Sequence, residues 1–233
     1  MTTHNEHGQR VGDDLGRWVA PVAPSSQPVL GRWVVLEPLD AERHGGDLAA
    51  AFAPAPDSLW TYMSIGPFAS RAEVIDAIGA LASTVGMVPF AVCVDGVAQG
   101  FAAYMRIDAA HGVIEIGSIA LSPQLQRTRA ATEALFVLVD HALGLGYRRV
   151  EWKCDSYNEP SRRAARRLGF SYEGTFRQAT HYKGRTRDTA WYAVIDREWP
   201  PLRAAFLAWL DPSNFTADGA QCRVLASFRT PPG

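Results

Sequence analysis

A strand, a turn and a helix follow one another between Val113 and Gly146, and a second strand begins at Arg149. The first strand reads VIEIGSIAL, and the helix repeats small and apolar residues at a spacing that predicts a buried face. The second strand, RRVEWKCD, alternates apolar and charged residues, so its two faces differ. A helix between two strands constrains the chain to a fold in which helices cover a sheet. The predicted buried positions of the helix are Ala131, Ala134, Leu135, Leu138, Ala142 and Leu145.

The flanking segments extend this order of elements. RWVVLEPL reads as a strand, and two helices follow it with Asp40 and Ser70 as their predicted N-caps. A hairpin turned at Asp95-Gly96 comes next, because that pair suits a turn with positive φ. After the second strand come a short helix from Asn158, a hairpin turned at Lys183-Gly184 and a last helix that begins at proline. This order predicts a mixed α/β domain with one sheet.

Composition divides the chain into three parts. Residues 1–28 are polar and rich in proline and serine, although Trp18 and Val19 are apolar and predict that part of this segment docks. Residues 29–210 carry the predicted helices and strands, and residues 211–233 form an irregular C-terminal extension.

The charge and cysteine content exclude several classes of protein. The net charge of −1 gives no reason to expect nucleic acid or an anionic membrane as a partner. No secretory signal or membrane-spanning stretch is evident, so we expect a cytoplasmic protein. The three cysteines and six histidines are scattered, which predicts no disulfide and no metal site. Cys93 and Cys154 lie among alternating apolar residues and are predicted to be core thiols.

The turn LSPQLQRTRAATEALF presents helix N-terminal amides without the glycines that usually accompany a phosphate site. Those amides are unpaired and carry partial positive charge, so they bind anions with or without glycine. Arg127 and Arg129 add charge-assisted donors. An ordinary strand-to-helix turn with exposed arginines is the alternative interpretation.

From about Gly31 to Leu210 the chain resembles the GNAT superfamily of N-acetyltransferases, and in particular its Rim-type branch. The family signature Gln/Arg-x-x-Gly-x-Gly/Ala falls on 126–131, where Gln126 and Ala131 fit and Arg129 replaces the middle glycine. The segments GYRRVEWKCDSYNEPSRRAARRLGFSYEGTFRQ and KGRTRDTAWYAVIDREWP are similar to the branch over long stretches. The resemblance implies an α/β (α+β) fold with a single mixed, mostly antiparallel sheet. Two central strands of that sheet splay apart, and helices cover both faces.

The resemblance also implies where acetyl-CoA binds. Backbone groups of Ile119 and Leu121 would pair with the pantetheine arm like an added strand. Asn158 would bond the same arm, and Ser161 would protonate the leaving thiolate. The pyrophosphate would lie against the turn, whose residues are Gln126, Arg127, Thr128, Arg129, Ala130, Ala131 and Thr132.

Direct attack by a neutral amine on the thioester needs no covalent enzyme intermediate. The resemblance makes Glu115 the predicted general base, because some family members carry their base on this strand, and alternation places Glu115 with Gly117 and Ile119 on the side toward the cleft. Pairing of Glu115 with a neighbouring strand is the alternative. His181 and Asp155 are lesser candidates for the base.

The acceptor site is predicted from aromatic residues at Trp60, Tyr62, Tyr104 and Tyr182, although such residues are more often core. The run RRAARR is either a solvated helix face or a contact for the 3′-phosphate of CoA. The resulting prediction is an acetyl-CoA-dependent N-acetyltransferase for a peptide N-terminus or a small amine, as a monomer or homodimer. A CoA-binding regulatory protein and a nucleic-acid-binding module are the alternatives.

Overall fold

The computed structural model describes residues 3–229. Strands β1 (Thr3–His4) and β2 (Arg10–Val11) form a small separate hairpin. The main domain then runs β3 (Val29–Leu30), β4 (Val35–Pro38), α1 (Ala41–Phe52), α2 (Arg71–Ala82), β5 (Val88–Val94), β6 (Val97–Asp108), β7 (Val113–Leu121), α3 (Arg129–Gly144), β8 (Arg149–Asp155), α4 (Glu159–Leu168), β9 (Ser171–Tyr182), β10 (Arg185–Ile195) and α5 (Trp199–Trp209). Between α5 and residue 229 the chain forms two short 3-10 turns and an isolated bridge from Phe215 to Gln221.

One eight-stranded sheet organises the domain in the order β3-β4-β5-β6-β7-β8-β10-β9. Every neighbouring pair is antiparallel except β7 and β8, which the α3 crossover makes parallel. These two central strands pair only from Val113 opposite Arg149 to Glu115 opposite Glu151. Beyond that point they diverge, which confirms the predicted splayed, mostly antiparallel sheet.

Helix and turn signals in the sequence act where they were predicted. Asp40 accepts a hydrogen bond from Arg43 N at 2.7 Å, and Ser70 accepts one from Glu73 N at 3.2 Å. The hairpin turns have positive φ at Asp95 (50°) and Gly96 (81°), and at Lys183 (49°) and Gly184 (70°). Short-range chemistry therefore determines the ends of these elements.

The sheet buries a separate core on each face. On the α3 face, Tyr104, Ile114 and Trp152 pack with α3, α4 and α5. On the α1/α2 face, Phe101 and Ala120 pack with the first two helices. Because side chains alternate along a strand, Glu115, Glu151 and Lys153 project to the α1/α2 face.

Helix α3 is buried on more than the single face that its sequence spacing predicted. Ala134 and Leu138 are fully buried as expected, whereas Leu145 is only partly buried. Phe136 is also buried, and its ring stacks on Phe206 of α5 with centroids 5.0 Å apart. The one-face prediction was too narrow because α5 covers the side of α3 that faces away from the sheet.

The N-terminal segment contacts the main domain at Trp18. The indole Nε1 of Trp18 donates to Ala110 O at 2.9 Å, and the Arg148 guanidinium lies 5.8 Å from the ring centroid. Val19 is 73% exposed, so the contact rests on the tryptophan. Within residues 3–229, no helix has the length and apolar character needed to cross a membrane.

Candidate active site at the splayed strands

The divergence of β7 and β8 leaves one edge of β7 without a strand partner from Ile116 onward. A bulge at Ser118, where φ is 49°, also interrupts β7 between its pairings with Phe101 and Ala103 of β6. The extra residue reverses the alternation, so Ile119 packs on the α3 face with Ile116, not beside Glu115. The prediction that Glu115, Gly117 and Ile119 share one side of the strand was therefore wrong.

The turn before α3 keeps free amides although it has no glycine. Thr128 caps the helix by accepting from Ala131 N at 3.1 Å. Arg127 takes the left-handed conformation, with φ of 64°, that glycine would adopt without strain. Among residues 3–229, no acceptor bonds the N–H groups of Arg127, Arg129 or Ala130. These donors sit at the positive end of α3 and are able to bind an anion.

The side chain of Arg129 does not extend over those amides. Its guanidinium lies 3.6 Å from the centroid of Trp33 and 5.4 Å from that of Phe215. Glu133, one turn further along α3, positions Trp33 by accepting from Trp33 N at 2.6 Å and from Arg32 N at 2.9 Å. The arginine that replaces a glycine thus stacks between the β3–β4 turn and the C-terminal extension.

Two neighbours complete this turn. Gln126 Nε2 donates to Leu121 O at 2.9 Å, on the strand predicted to pair with the pantetheine arm. Thr132 donates to Thr128 O at 3.2 Å and accepts from Arg167 Nη1 at 3.0 Å, which places one α4 arginine near the first turn of α3. The other residues of this turn, Ala130 and Ala131, are buried.

Helix α4 begins where β8 ends, and its first turn carries Asn158 and Ser161. Asn158 is the N-cap, and its Oδ1 accepts from Ser161 N at 3.2 Å. The Ser161 hydroxyl oxygen accepts from Trp152 Nε1 at 3.0 Å. Because that lone pair is occupied by an indole N–H, the hydroxyl proton remains available for donation. Ser161 also contacts Cys154, a buried thiol whose pKa is raised by burial.

Glu115 belongs to a line of ion pairs across the α1/α2 face. Lys153 Nζ lies 3.0 Å from Glu115 Oε2 and 2.7 Å from Glu151 Oε2, and all three side chains are at most 8% exposed. Arg149 continues the line to Glu173, and Arg106 Nε lies 3.6 Å from Glu115. Burial raises the pKa of the Glu115 carboxyl, while Lys153 and Arg106 oppose that rise. Glu115 does interact with a neighbouring strand, as the alternative interpretation held.

The gap between β7 and β8 beyond Glu115 and Glu151, called the splay below, is closed at its wide end by the β9–β10 hairpin. Tyr182 OH donates to Asp155 Oδ2 at 2.8 Å, and burial followed by Asp155 raises the pKa of Tyr182 to about 12. Lys183 Nζ donates to Trp60 O at 2.7 Å and to Ile65 O at 3.2 Å, so the hairpin holds the loop between α1 and α2. The half-buried Tyr62 belongs to the same loop.

Two of the four predicted acceptor residues are core residues. Tyr104 is fully buried on the α3 face, where its hydroxyl donates to Leu138 O at 2.6 Å, so its assignment to the acceptor site was wrong. Trp60 is 4% exposed and packs edge-on against Phe52 and Phe68. The fold buries both rings because α3 covers Tyr104, whereas Trp60 packs between Phe52 of α1 and Phe68 of the following loop. Tyr62 and Tyr182 remain beside the opening.

The arginines of α4 have different environments. Arg162 donates to Tyr192 OH and Ser156 O, both at 3.2 Å. Arg163 and Arg166 are exposed and lie within 4 Å of Glu159. Arg167 contacts α3 through its hydrogen bond to Thr132. The helix therefore has a solvated charged face, and Arg167 is the member nearest to the free amides.

A second cluster joins Glu37, His44 and Cys93, whose ligand atoms lie within 4.8 Å of one another. Scattered positions in the sequence gave no indication of it. His44 Nδ1 accepts from Asp40 N at 3.1 Å, so Nε2 carries the proton toward Glu37 Oε2 at 3.2 Å. Burial, and then Glu37, raises the pKa of Cys93 to about 12. Hydrogen bonds through His44 therefore join Asp40 to Glu37, and Cys93 lies beside this pair.

Comparisons with known proteins agree with this geometry. The sequence model of the acetyltransferase (GNAT) family matches residues 58–170. A crystal structure of a GCN5-related N-acetyltransferase from Brucella melitensis is 45% identical, with 91% of this chain and 98% of that chain covered and a TM-score of 0.88. A probable acetyltransferase of the GNAT family from Chromobacterium violaceum is 42% identical, with coverages of 81% and 96% and a TM-score of 0.76.

A more distant likeness concerns the fold alone. The acetyl transferase from Salmonella typhimurium that modifies the N-terminal serine of 50S ribosomal subunit protein L7/L12 is 21% identical, with coverages of 72% and 98% and a TM-score of 0.62. No protein with a curated description matches the sequence.

Proposed function

The chain belongs to the GNAT family of acetyltransferases, and we propose that it transfers an acetyl group from acetyl-CoA to a primary amine. The amine is the α-amine of a peptide or a small-molecule amine. The observation that carries this proposal is the separation of β7 and β8 after only three paired residues, between the free amides of α3 and the first turn of α4.

The splay supports a binding mode for the thioester substrate. The extended pantetheine arm would pair with the free edge of β7 as a strand would. The amides of Arg127, Arg129 and Ala130 would hold the pyrophosphate at the positive end of α3. Asn158 Nδ2 would donate to an amide carbonyl of the arm, because Oδ1 of the same side chain is already engaged with Ser161 N.

The reaction would proceed by direct attack of the neutral amine on the thioester carbonyl. The new N–C bond forms a tetrahedral intermediate, and backbone N–H groups on the free edge of β7 would stabilise its oxyanion. Collapse breaks the C–S bond, and the CoA thiolate takes the hydroxyl proton of Ser161 while solvent returns a proton to the serine oxygen. Trp152 acts as a positioning residue, since its indole N–H orients that hydroxyl.

Removal of a proton from the amine is assigned to Glu115. Burial raises the pKa of its carboxyl, which is the direction that a base for an amine requires. An α-amine needs less help than a lysine, because its pKa is about 7.7–8.0 instead of about 10.4. Glu115→Gln should therefore reduce the rate for a lysine-like amine more than the rate for an α-amine.

Titration calorimetry with acetyl-CoA and dephospho-CoA, followed by acetylation assays on an amine panel, tests the proposal. We expect acetyl-CoA to bind and at least one primary amine to be acetylated. Ser161→Ala should lower kcat by about tenfold or more while acetyl-CoA binding persists. Binding without acetylation of any amine would refute the enzyme assignment, and wild-type kcat in the variant would refute the role of Ser161.

A further inference from the structure

Arg187 lies at the wide end of the splay. Its strand, β10, pairs with β8 up to Thr189 opposite Asp155, so Arg187 stands two residues beyond the end of β8. Alternation along β10 places Arg187 on the same face as Trp191, whose ring lies 3.7 Å from Lys153 Nζ. This is the α1/α2 face, whereas Ser161 and Trp152 lie on the α3 face. Arg187 is therefore on the side from which an acceptor would approach.

The guanidinium of Arg187 has no ion-pair or hydrogen-bond partner among residues 3–229. None of the carboxylates described there lies within 4.0 Å of it, and its Nε is buried without a hydrogen bond. Other half-buried arginines of the sheet region are paired: Arg149 with Glu151 and Glu173, and Arg162 with Tyr192 and Ser156. A buried donor without a partner is unfavourable and calls for an explanation, and a bound ligand that accepts its hydrogen bond is one.

The surroundings of Arg187 form the walls of a small site. The ring of Tyr182 lies 5.8 Å from the guanidinium carbon, and its hydroxyl is fixed by Asp155. Asp155 also accepts from Tyr157 N at 2.9 Å, so both of its oxygens already have partners. Lys183 ties the hairpin to the loop that carries Tyr62. These contacts hold the arginine in place without neutralising it.

We propose that Arg187 binds a carboxylate of the acetyl acceptor, so that the preferred acceptors are amines that also carry a carboxylate. This inference rests on the proposed acetyl transfer and specifies its substrate class. A planar guanidinium makes two parallel hydrogen bonds to a carboxylate, which gives orientation as well as affinity. The phosphates of CoA are not the ligand of Arg187, because the free amides of α3 lie on the opposite face. The carboxylate belongs either to a free amino acid or to an acidic side chain of a peptide.

The test compares matched acceptors in wild type, Arg187→Met and the control Arg185→Met, an exposed arginine of the same strand. One pair is alanine and alaninamide, and the other is a peptide amide that begins with Asp and one that begins with Asn. Because the amines of a pair differ in basicity, the informative quantity is the ratio of kcat/KM between variant and wild type for each acceptor. The pair that shows the effect identifies the source of the carboxylate.

We expect Arg187→Met to lower kcat/KM for the carboxylate acceptor by about tenfold to a hundredfold and to change the neutral partner much less. Arg185→Met should change neither. Equal losses for both members of each pair, or no loss, would overturn the inference while leaving acetyl transfer intact. If no amine is acetylated, the proposed function fails. Calorimetry with CoA and the N-acetylated acidic product then decides the matter: binding that Arg187→Met abolishes supports the inference, and absent or equal binding refutes it.

Discussion

Replacement of Lys153 by Met should destabilise the protein strongly, because Lys153 compensates two buried carboxylates. Its ammonium lies 2.7 Å from Glu151 and 3.0 Å from Glu115, and both acids are 8% exposed. Breaking a buried ion pair costs about 3–5 kcal/mol. Arg149 remains 2.9 Å from Glu151, and Arg106 remains 3.6 Å from Glu115. Since both acids keep a second cation, we expect the lower end of that range, about 3 kcal/mol at neutral pH.

The loss should depend on pH in a defined direction. The pKa of Glu115 in the folded protein is already raised, so its contribution to stability falls as pH rises from its unfolded pKa through its folded pKa. Removing Lys153 takes away the nearest cation and raises that folded pKa further. The variant should therefore show its full deficit at neutral pH and a smaller one as the solution is acidified and Glu115 binds a proton.

Urea unfolding followed by far-ultraviolet circular dichroism measures this effect. Tryptophan fluorescence is unsuitable, because Lys153 lies 3.7 Å from the Trp191 ring and its loss would change the signal directly. Arg197→Met is the matched control, since Arg197 and Asp13 form an ion pair in which both side chains are more than 70% exposed. The control should unfold like wild type. A deficit below about 1 kcal/mol for Lys153→Met, or one that grows toward acid, would refute the reasoning.

Three further predictions follow from individual contacts. Asn158→Asp keeps the cap of α4 but removes the Nδ2 donor, so it should weaken acetyl-CoA binding in calorimetry without lowering the melting temperature. Asn158→Ala should lower both the affinity and the melting temperature. Wild-type affinity in the aspartate variant would exclude the donor role. Arg129→Ala should lower the free energy of unfolding by about 0.5–2 kcal/mol, because stacking on Trp33 is lost. Its affinity for acetyl-CoA should stay within a few-fold of the wild-type affinity. A complete loss of binding would make Arg129 a phosphate ligand. Native protein at about pH 8 should react with iodoacetamide at the exposed Cys222. The buried Cys154 and Cys93, whose pKa is raised to about 12, should react only after denaturation. Mass spectrometry of the digested protein measures the modification of each cysteine.

Signals that act over a few residues were readable from the sequence. The caps at Asp40 and Ser70 and the glycine turns ended elements where they were expected. The positions of Ile119, Tyr104 and Glu115 in the candidate site depended instead on contacts between segments that are distant in the sequence. The bulge at Ser118 moved Ile119 to the opposite face, and no residue pattern in VIEIGSIAL signals an inserted position. Tyr104 was predicted to be an acceptor residue, but α3 covers its ring, which the sequence around Tyr104 does not indicate. The ion pair between Glu115 and Lys153 joins β7 to β8, and the register of these two strands cannot be predicted from the sequence.

The sequence by itself determined the order of helices and strands, the ends that caps and turns impose, and a resemblance long enough to indicate the family. These depend on hydrogen bonds and hydrophobic spacing within a few residues of the chain. Only the tertiary structure decided which charges are compensated. Lys153 lies between two acids, Arg129 stacks on Trp33, and within residues 3–229 Arg187 has no ion-pair or hydrogen-bond partner. A side chain's partners come from distant parts of the chain, so its role in a site is decided by how the strands and helices are arranged around it.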